Sequence, residues 1–205
     1  DRWNDYLSKA PKHTYDVEAA KALLAEAGYP DGFTCSLMIA DSSLRNSMAL
    51  AIQEQLAQIG ITVNINKVST DEHTAYQFGE KLDANGLRDY DMIMAGWEAD
   101  YPDPSGNLTP LYQGGNSSNA AAYQNDEVDK LIADQAQSSD PTQRNDDMFQ
   151  AFDIITQDVP YVFLYYPVKN IAMNKAYTGV TMNASWIWKR VVLLGLFGHG
   201  CSLPF

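Results

Sequence analysis

The spacing of apolar residues switches between two periods in the first third of the chain. Residues 17–27 and 43–59 repeat apolar side chains every three or four positions, which predicts two helices. Residues 33–39 and 61–65 alternate apolar with smaller or more polar side chains, as strands with one buried face do. The order strand, helix, strand predicts two parallel strands joined by a right-handed crossover. The residues expected to cap or stop the two helices are Asp16, Gly28, the run 41–43 and Gly60.

A third strand is expected after a short helix. Residues 69–78 begin with polar capping residues and predict the helix, and residues 90–97 form a short apolar run typical of a buried strand. This order predicts an α/β lobe with a mixed, mostly parallel sheet flanked by helices. From residue 98 to residue 122, proline, glycine, asparagine and serine interrupt every period, which predicts a long loop.

The remainder of the chain is predicted to contain two helices and further strand-like runs. The helices are expected over 127–136 and 141–158, the second capped by Asp140. The β-prone run 161–166 predicts a strand, and a further short strand is expected at 171–173. Residues 190–205 have no clear period, and two interpretations stay open: an ordinary C-terminal strand, or a tail foreign to the protein.

Charge and composition exclude some functions. The chain has 26 acidic residues against 14 Lys and Arg, a formal net charge of -12, so nucleic acid is not expected as a partner. No run of about 18 apolar residues predicts a membrane-spanning helix. With 45% hydrophobic positions the chain can bury a core, and we expect a monomer of about one domain.

Signals for catalysis are weak. His13, His73 and His199 are isolated, lack the spacing of zinc ligands, and are expected at the surface or at helix ends. We find no nucleophile motif, phosphate-binding loop or dinucleotide fingerprint. The sequence therefore predicts a protein that is not an enzyme, with no metal and no cofactor.

The segment 97–104 carries the most suggestive chemistry. It leaves the third strand at its carboxyl end, where α/β sheets present ligand sites. Asp100 offers a carboxylate to an ammonium group, and Trp97 and Tyr101 offer flat apolar walls. Residue types alone leave two interpretations open: an amine clamp, or a turn in which Trp97 is core and Asp100 and Asp103 only shape the backbone.

Other roles for charged residues also stay open. Glu98, Asp100 and Asp103 could be the carboxylates of a hydrolase or ligands of a cation, although carboxylates in surface loops are usually only solvated. Arg45 and Arg88 could meet a ligand carboxylate, but for both the commoner outcome is a solvated side chain.

The chain resembles the solute-binding proteins of ABC importers for dipeptides, oligopeptides and nickel. The similarity extends from about residue 15 to residue 188 and rests on five landmarks in the family's order. They are YDVEAAKALLAEAGYP at 15–30, LAQIGI at 56–61, GWEADYPDP at 96–104, NDEVDKLI at 125–132 and DVPYV at 158–162.

The resemblance implies a two-lobed, periplasmic-binding-protein-like fold of the class II type, of which this chain is mainly the C-terminal lobe. It implies residues 1–14 as a lead-in from a larger lobe, 15–170 as the ligand-binding lobe, 171–189 as the return, and 190–205 as an atypical tail. The implied function is capture of extended oligopeptides outside the cytoplasm and delivery to an ABC permease in the membrane. The full-length protein that contains this lobe is expected to be periplasmic or a cell-surface lipoprotein.

The resemblance also assigns roles to residues. It implies that Asp100 holds the ligand's α-amino group and that Trp97 lines a side-chain pocket, with Glu98, Ala99 and Tyr101 beside them. The run from Ala99 to Tyr101 is more similar to the oligopeptide branch than to the nickel branch.

The chain departs from the family at the residue for the ligand's carboxylate. Met94 stands where certain oligopeptide binders carry a basic residue. Arg45 is the candidate replacement. A non-peptide solute, either an oligosaccharide or a metal chelate, stays open as an alternative.

Overall fold

The computed structural model describes residues 2–10, 12, 14–167, 172 and 174. It confirms the α/β class, with helices on a parallel sheet followed by a helical layer. The elements are α1 (Arg2–Lys9), α2 (Val17–Glu26), β1 (Thr34–Ala40), α3 (Ser43–Ala57), β2 (Thr62–Val68), α4 (Thr70–Gln77), β3 (Met92–Ile93), α5 (Ser105–Tyr112), α6 (Asp126–Gln137) and α7 (Pro141–Asp158).

The sheet has the order β2-β1-β3, and all its strand pairs in the described part of the chain are parallel. Leu37 in the central strand aligns with Ile65 of β2 and with Met92 of β3. From the central strand β1 the chain passes to β2 at one edge of the sheet, and from there to β3 at the other edge. Right-handed crossovers in these two directions place α3 and α4 on opposite faces of the sheet.

The central strand β1 is buried on both faces, whereas its alternating sequence predicted one buried face. Leu37 and Ile39 pack with Ala49 of α3 in one hydrophobic cluster. On the opposite face, Met38 and Ala40 are only 3% and 4% exposed. Covering a parallel strand on both sides is the usual arrangement in α/β sheets.

Two glycine turns cross at the amino ends of β1 and β2. Gly32 has φ +76°, and a Cβ atom there would lie 2.1 Å from the carbonyl oxygen of Gly60. Gly60, at φ +86°, faces the backbone of Asp31 in turn. The two turns approach too closely for any side chain at Gly32, so this contact fixes where both strands begin.

A second hydrophobic cluster lies between the last three helices. Its members from α5, α6 and α7 include residues with no exposed surface, and α1 joins it through Trp3. The Trp3 ring also packs edge to face on Phe149, at 4.7 Å between ring centroids. The buried members are Leu108, Tyr112, Val128, Leu131, Ile132, Met148, Ala151 and Ile155.

The predicted loop over 98–122 was wrong in its middle, because α5 lies there. Leu108 and Tyr112 are four residues apart and are 0% and 4% exposed, so a helical period is present. It is short, and Pro110 lies inside the helix, which disguises the period. The third strand is also shorter than the predicted 90–97.

The β-prone run 161–166 was predicted as a strand and pairs with no strand among the described residues. Tyr161 alone is half-buried, and its hydroxyl donates to the carbonyl of Leu111 at 3.2 Å. The next five side chains, 162–166, are exposed. The strand expected at 171–173 and the tail 190–205 lie outside the described residues, apart from residue 172.

We predict that Gly32→Ala destabilises the chain by about 2–4 kcal/mol, because it adds a backbone clash to left-handed strain. Gly28→Ala is the matched control, since Gly28 also has a positive φ, +91°, but has nothing within 4 Å of an added Cβ. It should cost about 1 kcal/mol. Denaturant unfolding of both variants checks this, and equal losses would contradict the crossing of the two turns.

Candidate functional site

The segment Trp97 to Pro104 lies where the third strand leaves the sheet. The last ladder hydrogen bond of β3 runs from the Met94 N–H to the Met38 carbonyl, at 2.9 Å. Beyond it the chain passes the carboxyl edge of the sheet and enters α5 at Ser105. The segment therefore lies at the edge where α/β sheets present ligands, as its sequence predicted.

Trp97 anchors the segment to the first turn of α5. Its indole Nε1–H donates to the carbonyl of Gly106 at 3.0 Å, and its ring is half-buried. The absence of a side chain at Gly106 allows Ala99 and Tyr101 to approach its backbone closely. A Cβ atom at Gly106 would lie 3.2 Å from the Cβ of Ala99 and 3.3 Å from the ring of Tyr101. The structure thus brings Trp97, Ala99 and Tyr101 together on one glycine.

Asp103 ties the other end of the segment to α7. Its carboxylate accepts two hydrogen bonds from the Arg144 guanidinium, at 2.6 and 3.0 Å. It also accepts the backbone N–H of Ser105 at 2.9 Å, in the first turn of α5. The bond from Arg144, helped by Ser105, lowers the pKa of Asp103 to about 2. For Asp103, the interpretation as a residue that shapes the backbone is confirmed.

Asp100 differs from Asp103 in its surroundings. It is exposed, and among the described residues none of the hydrogen bonds or ion pairs uses its carboxylate. Tyr101 beside it is 48% exposed. Glu98 is exposed as well. The segment therefore has a fixed backbone at both ends and presents a carboxylate and an aromatic face in its middle.

Arg45 lies at the same edge of the sheet, in the first turn of α3. Its backbone N–H donates to the Ser42 hydroxyl at 3.3 Å, and the residue is half-buried rather than fully solvated. Its positive charge acts on His73 of α4, where it adds to burial in lowering the pKa of that imidazole. Nothing in the described contacts joins Arg45 to Asp100.

His73 and Arg88 were predicted wrongly. His73 is 2% exposed instead of lying at the surface. The guanidinium of Arg88 donates to four backbone carbonyls at 3.0–3.3 Å instead of facing solvent: those of Tyr76, Gln77, Ser117 and Asn119. It joins the end of α4 to the turns before α6. The sequence around His73 and Arg88 does not indicate these environments, because the residues that surround the two side chains are distant in the chain. His13 and His199 lie outside the described residues.

Two features are absent from the part of the chain described above. No group of three or more His, Cys, Asp or Glu side chains there is arranged to hold a metal ion. No helix there has both the length and the apolar character that crossing a membrane requires.

The Asp103 pKa predicts a pH dependence. A carboxyl whose pKa is lower in the folded state stabilises the fold above its unfolded pKa, about 3.9, and loses this effect as pH falls towards about 2. Asp103→Asn should therefore cost about 1–2 kcal/mol near neutral pH, with the difference from wild type shrinking between about pH 4 and about pH 2.

Denaturant unfolding at several pH values checks this prediction. Asp134→Asn, which removes an exposed ion pair with Lys130, is the control and should cost less than about 0.5 kcal/mol. A difference between Asp103→Asn and wild type that stays constant down to about pH 2 would contradict the assignment.

Comparison with known proteins places these features in a family. A family model described as bacterial extracellular solute-binding proteins, family 5 Middle, matches residues 1–119. The glutathione-binding protein GsiB of Salmonella paratyphi A is 34% identical over 173 residues, which cover 80% of this chain and 33% of that protein. GsiB of Escherichia coli K12 is 32% identical with the same coverage. The chain spans about a third of the length of these curated relatives.

Solved structures resemble this chain with sequence identities close to those of the curated relatives. DppA from Helicobacter pylori, in complex with the peptide STSA, has a TM-score of 0.65 and 31% identity, covering 75% of this chain and 29% of that one. The oligopeptide-binding protein AppA from Bacillus subtilis, in complex with a nonapeptide, has a TM-score of 0.64 and 29% identity, covering 78% and 33%. The resemblance drawn from the five sequence landmarks is confirmed. The chain belongs to the family 5 bacterial extracellular solute-binding proteins.

Proposed function

We propose that this chain forms one face of a peptide-binding site in the solute-binding component of an ABC importer. The observation that carries the proposal is the exposed carboxylate of Asp100 on a segment whose two ends are fixed by Trp97 and Asp103. In this role the protein binds peptides outside the cytoplasm and delivers them to a membrane permease. The proposal includes no turnover of the peptide.

Asp100 is proposed to hold the α-amino group of the peptide. An ammonium group and a carboxylate form charge-assisted hydrogen bonds, which are stronger than neutral ones. Asp103 does not compete for this role, because Arg144 already neutralises it. This engagement also disfavours a hydrolase that would use Asp103 with Glu98 or Asp100 as a catalytic pair.

Trp97, Ala99 and Tyr101 are proposed to form the apolar wall beside the first peptide side chain. The half-buried indole of Trp97 and the exposed ring of Tyr101 both lie close to Gly106. Because their backbone is fixed before the ligand arrives, little ordering entropy is lost on binding. Arg45 is proposed as the partner of the peptide carboxylate, with the rest of the site supplied by the larger lobe.

The relatives support peptides as the ligand class. Besides DppA and AppA, a dipeptide-binding protein from Pseudoalteromonas sp. SM9913, solved with Met-Leu, has a TM-score of 0.59 and 29% identity. These peptide ligands share a backbone with an amino terminus. The Asp100 carboxylate is proposed to bind that amino group. The form we propose for the full-length protein is a monomer outside the cytoplasm, either periplasmic or a cell-surface lipoprotein.

Glutathione is a second candidate ligand, favoured by the similarity to GsiB. It has one α-amino group, like a peptide, but this group adjoins a free carboxylate on the same carbon. A site for glutathione would therefore need a cation close to Asp100, whereas a site for linear peptides would not. Competition between glutathione and the tetrapeptide STSA for the complete polypeptide separates the two candidates.

We predict that Asp100→Asn in the complete polypeptide encoded by the gene weakens STSA binding by about 10-fold to 150-fold. The substitution keeps the shape but removes the charge that strengthens the hydrogen bonds to the amine. Isothermal titration calorimetry measures the change.

The matched control is Asp89→Asn, which removes the charge of another exposed aspartate before β3. Its affinity for STSA should equal that of wild type. Unchanged affinity in Asp100→Asn would refute the amine clamp, and equal losses in both variants would indicate a general effect of net charge.

A further inference from the structure

Helix α4 buries two polar side chains that contact the backbone leaving β3. His73 is 2% exposed and Gln77 is 8% exposed, and they lie one helical turn apart. The amide Nε2–H of Gln77 donates to the carbonyl of Gly96 at 2.9 Å. The imidazole of His73 lies close enough to the backbone of Met94 for that backbone to act on its pKa, although burial has the larger effect and lowers it. The two side chains therefore lie beside the chain on either side of Ala95.

These contacts lie where the sheet no longer supports the chain. The ladder of β3 with β1 ends at the Met94 N–H, and the next tether is the Trp97 indole on Gly106. Between them the described contacts of the backbone are a local bond from Ala95 to Ile93 and the contacts from α4. The direction in which residue 97 leaves the sheet thus depends on the α4 side chains.

Packing alone does not account for polar residues at these two positions. Burying a polar side chain is unfavourable unless it is hydrogen-bonded, and the Nε2 atom of His73 has no partner among the described residues. Apolar side chains of similar size would fill the same space without that penalty. The feature that the polar side chains add is a fixed position for the backbone of residues 94–96.

We propose that His73 and Gln77 are positioning residues for the ligand-binding segment. By holding the backbone at Met94 and Gly96, they set where Trp97 and Asp100 meet the peptide amino terminus. This inference rests on the proposed function for its consequence in binding, but the restraint on the backbone is a property of the ligand-free protein. The two parts can be tested separately.

The chain offers a matched control in Gln53 of α3. Its Nε2–H donates to the carbonyl of Val63 at 2.7 Å, so it also joins a helix to a strand backbone. It differs from Gln77 in contacting β2, which does not lead into the binding segment. Gln77→Met and Gln53→Met remove equivalent hydrogen bonds and keep the side-chain volume nearly constant.

The first measurement is amide hydrogen exchange of the complete polypeptide without peptide. We expect exchange at the hydrogen-bonded amides of Met94 and Ala95 to rise about tenfold in Gln77→Met and to stay at the wild-type rate in Gln53→Met. His73→Phe keeps α4 packed and should show the same local effect if Gln77→Met does not fold. Unchanged exchange in the α4 variants, or an equal rise in Gln53→Met, would overturn the positioning role.

The second measurement is calorimetry with STSA. Affinity should fall about tenfold in Gln77→Met and remain at the wild-type value in Gln53→Met, even if both variants lose similar global stability. Faster exchange with unchanged affinity would overturn the role in binding. If the wild type itself binds no peptide, the proposed function fails, while the exchange result still decides whether α4 restrains the segment.

Discussion

The bidentate ion pair between Arg144 and Asp103 fixes the point at which the backbone leaving the sheet enters the helical layer. Asp103 also accepts the Ser105 N–H, so the first turn of α5 is joined by one carboxylate both to the segment before it and to α7. The Trp97 indole depends on the same turn, since its acceptor is the carbonyl of Gly106. A single carboxylate thus fixes the carboxyl end of the segment that we propose to bind the ligand.

The fixed backbone around the exposed Asp100 carboxylate affects the affinity that we expect for a ligand. Carboxylates of a flexible loop would lose conformational freedom on meeting an ammonium group, which offsets much of the attraction. Here the segment is fixed by the Trp97 indole, by Asp103 and by the side chains of α4, while Asp100 stays exposed. Two aspartates three residues apart therefore have different roles, one in the fold and one in the proposed site.

Much of the fold was predictable from local signals. The existence of strand β1, the caps Asp16 and Ser42, and the parallel crossover depend on neighbours in sequence, and the structure confirms them. Helix α5 was missed because its proline and glycine mask a period of only two turns. The run 161–166 has strong β propensity but no strand partner among the described residues, so propensity alone did not decide its structure.

The site was predictable only in part, for a physical reason. The position of the segment after a strand, and its residue types, indicated a ligand site. The distinction between Asp100 and Asp103 depends on Arg144, which lies 41 residues away from Asp103. The burial of His73 and the contacts of Arg88 likewise arise from tertiary neighbours that no local pattern encodes.

The central claim is a direct contact between Asp100 and the peptide amino group. A double-mutant cycle tests it, with calorimetry of STSA and its N-acetylated form on the complete wild-type polypeptide and on its Asp100→Asn variant. The account predicts that acetylation weakens binding to wild type by about 10-fold to 150-fold and weakens binding to Asp100→Asn by less than about twofold. Equal losses on both proteins would contradict it, because Asp100 and the amine would then contribute independently.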